Sequence, residues 1–247
     1  MLLLKTDGLK TSYKITVNKG ISGLIISSPS DFNALNKDIE ISLMVERANG
    51  ANYEITNGFL NLKQFIVAST AMADQIVFFE ELNVGFCATL ELTELGAIHL
   101  YEKDNIIIEL RGIPNGVSAP YFHIFGIEEP ITTDTVFSFE RKNMASETTN
   151  QDFDVTGFEM VLLTGLDKSP NEDKTQLALT YDNGVIVNYT PFELCALFAT
   201  VDPIVLTAVD YSLCDHNDYL ILPLEGIINL QIRKDPKSGI LMLLKRS

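Results

Sequence analysis

The chain has 247 residues, of which 46% are apolar and 21% charged, and its formal net charge is −15. This length allows one large domain or two of ordinary size. The acidic balance excludes a protein whose main surface grips nucleic acid, because phosphate contacts need clustered Lys and Arg.

Taken in chain order, the apolar runs are short, rich in Ile, Val, Phe and Thr, and bounded by Gly, Asn, Pro or Asp, which is the strand signature. The first half reads YKITV (13–17), IEISLMV (39–45), QIVFF (75–79), CATLEL (87–92), NIIIEL (105–110) and YFHIFGI (121–127). The second half reads TVFSF (135–139), FEMVLL (158–163), QLALTY (176–181), GVIVNY (184–189), PIVLTAV (203–209), YLILPL (219–224), INLQIR (228–233) and ILMLL (240–244). Several alternate with period two: Tyr13, Ile15 and Val17 point one way, Lys14 and Thr16 the other. Only the stretches near 61–70 and 190–199 read as helices, and both are short. No window of about 18 residues is free of charges or turn formers. The opening MLLL is too short for a signal peptide, so the chain is expected to be soluble and unprocessed.

The two halves carry one device twice. TNGFLNLKQFIVAST (56–70) and DNGVIVNYTPFELCALF (182–198) each join an Asn-Gly turn, an apolar strand and a short amphipathic run. Asn-Gly supplies positive φ angles for a tight hairpin, and the helix that follows covers an end of the sheets. Phe65, Ile66 and Val67 are expected to pack inward in the first copy, and Phe192, Leu194, Leu197 and Phe198 in the second. Further matches support a duplication. Tyr13, Ile15 and Val17 match Thr135, Phe137 and Phe139 at a spacing of 122; Ile39–Ile41 matches Phe158–Met160 at 119; Asn57-Gly58 matches Asn183-Gly184 at 126; and Ile108–Arg111 matches Leu230–Arg233 at 122. The fold class expected is all-β, two tandem jelly-roll sandwiches with one short helix each. The expected domains are 1–129 and 130–247, with EEPITTD (128–134) as linker and Pro130 ending the first unit.

No catalytic, cofactor-binding or metal-binding residue is assigned. His99 and His123 lie among aromatics and read as structural, while His216 sits in the polar loop CDHND. There is no GxSxG, no Gly-rich phosphate loop, no HExxH and no EF-hand loop. The three cysteines, Cys87, Cys195 and Cys214, are widely spaced in apolar contexts and read as buried free thiols; Cys214 with His216 is the weaker metal alternative. Glu80-Glu81 and Glu128-Glu129 read as solvated strand ends, with Ca²⁺ between subunits as the sharper alternative. The polar loop SPNEDKT (169–175) is taken as the longer counterpart of ERANGAN (46–52).

Charge is placed unevenly. Residues 1–20 carry four Lys and one Asp, net +3; residues 231–247 carry five basic residues and one Asp, net +4; the stretch between is net −22. Solvation of the terminal cations is the bland account, and contact with an anionic surface the sharper one.

The second half reads strand, DNGVIV turn-strand, short helix, a YLILPL strand and the closing hairpin INLQIRKDPKSGILMLLKR. This resembles the second barrel of the double jelly-roll major capsid proteins of membrane-containing icosahedral phages, the corticovirus type and its relatives. The chain departs from that pattern in its short loops and short N-terminal arm. The resemblance implies a structural, non-enzymatic protein of the virion capsid, assembled in the host cytoplasm, with no cofactor or small-molecule substrate and no specific nucleic-acid recognition. It also implies homotrimeric, pseudo-hexagonal capsomers that contact neighbouring capsomers and other virion proteins over an internal membrane, with the basic termini toward the lipid. The alternatives are a spike, base or receptor-binding module and a bicupin-like small-molecule binder. A bicupin needs a spaced His-x-His or Glu set within one repeat, and neither repeat has it.

Overall fold

The computed structural model describes residues 1–29, 38–70, 76–79, 84–116, 121–166, 175–194, 197 and 219–247. The expected strand PIVLTAV, together with Cys195, Phe198, Cys214, His216, Glu80 and Glu81, lies outside the described residues. The chain forms two compact units, Met1–Glu140 and Arg141–Arg246. Among the described residues no helix is long and apolar enough to cross a membrane.

The first unit contains β1 (Leu2–Lys5), β2 (Ser12–Val17), β3 (Gly23–Ser28), β4 (Glu40–Glu46), β5 (Tyr53–Glu54), β6 (Leu60–Asn61), α1 (Leu62–Thr70), β7 (Ile76–Phe79), β8 (Val84–Glu91), β9 (Ala97–Ile98), β10 (Asn105–Arg111), β11 (His123–Ile127) and β12 (Thr132–Thr133). One sheet runs β1-β11-β3-β8-β7 and the other β2-β10-β4-β5, with β6 also on β4. β13 (Ser138–Met144) begins in the first unit and runs on into the second, whose other strands are β14 (Asn150–Asp154), β15 (Met160–Thr164), β16 (Gln176–Tyr181), β17 (Ile186–Tyr189), β18 (Tyr219–Pro223), β19 (Ile227–Arg233) and β20 (Ile240–Arg246). Its sheets run β13-β20-β15-β18 and β14-β19-β16-β17.

Numbered within the second unit, the first sheet takes the first, eighth, third and sixth strands, and the other sheet takes the second, seventh, fourth and fifth. The first unit repeats this order, with β5 and β6 sharing the fifth position and β7 added beside β8. That is the double Greek key of a jelly roll, and its presence in both units bears out the duplicated fold.

Alternation builds each core. On β10, Ile106, Ile108 and Leu110 face inward, and their registers put Val17, Ile15 and Tyr13 of β2 on one side and Val45, Leu43 and Ile41 of β4 on the other. In the second unit Leu177 and Leu179 of β16 meet Ile232 and Leu230 of β19, and Val161, Leu163, Leu220 and Met242 complete the same core. β15 is apolar on both faces, since Met160 and Leu162 between the inward residues are also buried.

The helices follow the fifth strands as expected. Asn61 Oδ1 caps α1 by accepting from Gln64 N at 3.0 Å, and Phe65, Ile66 and Val67 are buried. In the second unit residues 191–194 are helical. They start in a capping box: Glu193 N donates to Thr190 Oγ1 (3.2 Å) and Thr190 N donates to Glu193 Oε2 (2.7 Å). Leu194 is buried, but Phe192 and Leu197 are exposed, against expectation. Phe192 and Leu194 leave a helix roughly 200° apart, so they do not share a face. The Asn183-Gly184 turn carries a positive φ at Gly184 only. Tyr181 N donates to Val185 O, and Gly184 N to Tyr181 O, the geometry of a type I turn closed by a glycine bulge in place of a two-residue loop.

Three of the four sequence matches align strands that are not equivalent. β2 is a second strand, while 135–139 runs into β13, a first strand; Ile39–Ile41 enters the fourth strand of its unit, and Phe158–Met160 the third of its own. Asn57-Gly58 lies between β5 and β6, whereas Asn183-Gly184 joins fourth to fifth strand. Only β10 and β19, both seventh strands, are true counterparts. The cause is that apolar alternation is common to every strand and carries no address. Of the loop SPNEDKT, residues 169–174 lie outside the described residues; ERANGAN (46–52) leads from the fourth to the fifth strand of its unit.

Residues 130–140 belong with the first unit, not the second. β12 pairs in parallel with β9, Phe137 N donates to Leu92 O, and Phe139 N donates to Ile55 O at 2.7 Å. The Phe139 ring stands edge-on to Phe65 at 4.9 Å. A segment with these pairings is a strap on the first sandwich, not a free linker. Phe139→Ala is expected to cost about 3–5 kcal/mol by leaving a cavity against Phe65, measured as a lowered midpoint in urea unfolding.

Candidate assembly surfaces

A hydrogen-bonded surface feature is built just past β4 and β9 in the first unit. Arg47, just past β4, puts Nη1 2.7 Å from Asp104 Oδ2 and donates from the same nitrogen to His99 O at 2.8 Å. Asp104 also accepts from Ala48 N (2.9 Å) and Tyr101 N (3.0 Å). Its carboxylate is almost fully covered, with 3% of the side chain accessible, so its charge depends on these donors. The Arg47 guanidinium, with the two backbone N–H groups, holds the Asp104 carboxyl below its ordinary value. Lys103, at φ 72°, makes the left-handed bend that lets the loop close on Asp104.

The pair anchors an apolar and aromatic ledge. Tyr101 lies 5.5 Å from the Arg47 guanidinium and 4.5 Å from the His99 ring, and it is 59% exposed. Leu95 (70%) and Ile131 (61%) are exposed beside the β9–β12 pair. Gly96 brings the strands there so close that a β-carbon would meet Ile131 O at 2.8 Å. His99 Nδ1 lies 3.5 Å from Asp134 Oδ1, an ion pair when the imidazole is protonated. Nothing here forms a nucleophile–base couple. A Tyr and Arg cluster tied down by hydrogen bonds, on a unit that also exposes Leu95 and Ile131, is suited to protein contact.

The residues singled out from sequence do not converge. His123 lies on β11 between Tyr121 (5.8 Å) and Phe125 (6.3 Å). Cys87 on β8 is a free thiol, half-buried, and burial pushes its pKa up. Glu128 is taken up locally by Lys19 and by the Met1 ammonium at 3.8 Å, and Lys19 holds its carboxyl low. Among the described residues no group of three His, Cys, Asp or Glu side chains is placed to hold a metal ion.

Several of the terminal cations have partners within the chain. Lys14 pairs with Glu109 at 2.8 Å, and Lys5 lies 5.8 Å from the Tyr121 ring. Lys234 is buried and donates to Ser146 O at 2.8 Å. β1 and β11 are antiparallel, so Lys5, opposite His123, lies at the other end of the pair from Met1 and Lys19 beside Glu128. In the second unit, Lys142 and Arg246 flank the Phe158 ring at 5.4 and 4.8 Å. Arg141 and Lys245 adjoin them in sequence on the neighbouring strands β13 and β20.

No protein-family model matches the sequence, and no curated protein matches it. Among solved structures the chain is similar to the STIV MCP, with 11% identity and a TM-score of 0.56 over 100% of this chain and 93% of that one. It is also similar to a chain in the atomic structure of Sulfolobus Turreted Icosahedral Virus, with 9% identity and a TM-score of 0.56 over 99% of this chain and 88% of that one. At these identities the likeness is one of fold, and the fold shared is the double jelly roll.

A carboxyl held below its ordinary value contributes stability above about pH 4 and loses it as pH falls through the lowered folded value. Asp104→Asn is therefore expected to flatten the acid limb of a stability-versus-pH curve and to lower stability at neutral pH, as read by thermal melts across pH 2–7.

Proposed function

We propose that this chain is a structural major capsid protein of an icosahedral virus, acting without catalysis. In this reading three copies form a capsomer of pseudo-hexagonal outline, and capsomers tile a shell over an internal membrane, as in the corticovirus type and its relatives. The observation that carries it is the repeated jelly roll in one chain, together with a whole-length likeness in fold to the capsid protein of a turreted icosahedral virus. Two similar sandwiches per chain and three chains per ring give six similar lobes, a shape that packs hexagonally. The ledge around Tyr101 offers a contact between capsomer chains or between capsomers. In this reading the basic termini face the anionic lipid surface, and Lys245 and Arg246 at the end of β20, with Arg141 and Lys142 in the middle of the neighbouring β13, add to that charge. Virion localisation, assembly in the host cytoplasm and contact with other virion proteins follow from the same reading.

The test is the solution mass of purified protein by light scattering behind size exclusion, at two concentrations. A species near three times the chain mass of 27.4 kDa, unchanged on dilution, is expected. A monomer at both concentrations would overturn the preformed capsomer.

A further inference from the structure

The fifth-strand edge of the second sheet is treated differently in the two units. In the first unit an extended segment of that unit covers it. Phe139 N donates to Ile55 O at 2.7 Å, Asn57 N donates to Phe139 O at 2.9 Å, and Thr56 and Phe139 form a parallel bridge. The Tyr53 hydroxyl adds a bond to Val136 O at 2.8 Å. In the second unit the corresponding edge is β17, paired on one side with β16 from Leu177↔Tyr189 to Thr180↔Ile186. Among the described residues no strand pairs with its other side.

This edge is also chemically unprotected. Folded proteins blunt an open edge with charge, a bulge, Pro within the strand or a covering segment, because its free N–H and C=O groups template further pairing. From Asn183 to Phe192 there is no charged residue, and Pro191 falls after the strand. Val185 and Ile186 at the start of the strand are 52% and 61% exposed, and Phe192, just past its end, is exposed as well. The opposite edge of the same sheet, β14, carries Asp152 and Asp154, with Asp152 accepting from Gln231 and Asn229 across the outer face. One edge of the sheet is acidic and hydrated, the other neutral and apolar.

We propose that β17 pairs antiparallel with β17 of a second copy of this chain, joining two sheets across a two-fold axis. Two chains of net charge −15 repel wherever their carboxylates meet, so the uncharged edge is where copies approach at least electrostatic cost. A two-fold contact needs a self-complementary patch. Backbone donors and acceptors flanked by Ile186 and Val185 meet that need, with strand addition providing the bonds and the apolar side chains the burial. The first unit shows that this position in the fold is compatible with an added extended segment. The contact does not depend on the capsid reading.

The experiment is backbone hydrogen exchange of the full-length protein at several concentrations, read at those amides of residues 185–189 that do not donate to β16, alongside the solution mass. Protection of these amides is expected to rise with concentration in the wild type. It is expected to be lost in I186K and in V185K, both at exposed positions, while melting temperature stays the same. If one variant fails to fold, the other decides. Fast exchange at every concentration would overturn the proposal, as would protection that is equal at every dilution, which would mean the chain's own residues cover the edge. Trimers with unprotected β17 amides would sink this contact and leave the capsomer reading intact. Concentration-dependent protection without trimers would do the reverse.

Discussion

Everything in the first sandwich depends on the register of one strand. β10 is paired along its whole length with β2 on one side and β4 on the other, so its inward set, Ile106, Ile108 and Leu110, fixes the inward sets of both neighbours. A slip of one residue would turn Glu109 and Arg111 into the core and Ile108 out of it. The ion pairs on the outer face reinforce the same register: Glu109 reaches Lys14 across one interface, and Arg111 reaches Glu40 across the other. Exposed pairs of this kind add little stability. Their larger effect is to make every other register worse. β19 plays the same part between β14 and β16 in the second sandwich.

Legibility from sequence followed this logic. Strands that alternate cleanly or run apolar throughout, such as NIIIEL and FEMVLL, could be read directly. β14 (Asn150–Asp154) could not, because it is an edge strand with a hydrated face and only Phe153 buried. β3 (Gly23–Ser28) was missed because its Ser27-Ser28 end reads as a turn, whereas Ser28 is in fact buried. The repeat was legible as a fact but not as an alignment. Alternation says that a segment is a strand, not which of eight it is. Helix existence was readable from composition, but the inward face of a helix this short was set by its capping box, so Phe192 was assigned to the wrong side.

The ledge around Tyr101 was illegible for a different reason. Arg47 and Asp104 are 57 positions apart, and neither sits in a recognisable motif; only the fold brings the end of β4 beside the loop before β10. Asp104 in the string EKDN looks like any solvated loop acid. Its burial under three donors is a property of the closed sandwich. The strap at 131–139 was misread likewise, since Pro130 and the Thr-rich string after it look like a linker until β9 is there to pair with β12.

The two sandwiches share a frame and differ in what they hang on it, and the difference bears on how such a chain would assemble. Between the sixth and seventh strands the first unit inserts residues 92–104, with β9 and the anchored ledge, where the second unit makes only the tight turn at Leu224–Gly226, with Ile227 N donating to Leu224 O at 2.9 Å. A surface that recognises one sandwich by this corner therefore does not fit the other. A partner shaped for the ledge meets an empty corner on the second sandwich, and one shaped for the turn is blocked by the inserted loop on the first. Specificity of this kind comes from the mismatch as much as from the match. A duplicated fold with unequal loops on equal frames is therefore two distinguishable surfaces on one repeated scaffold.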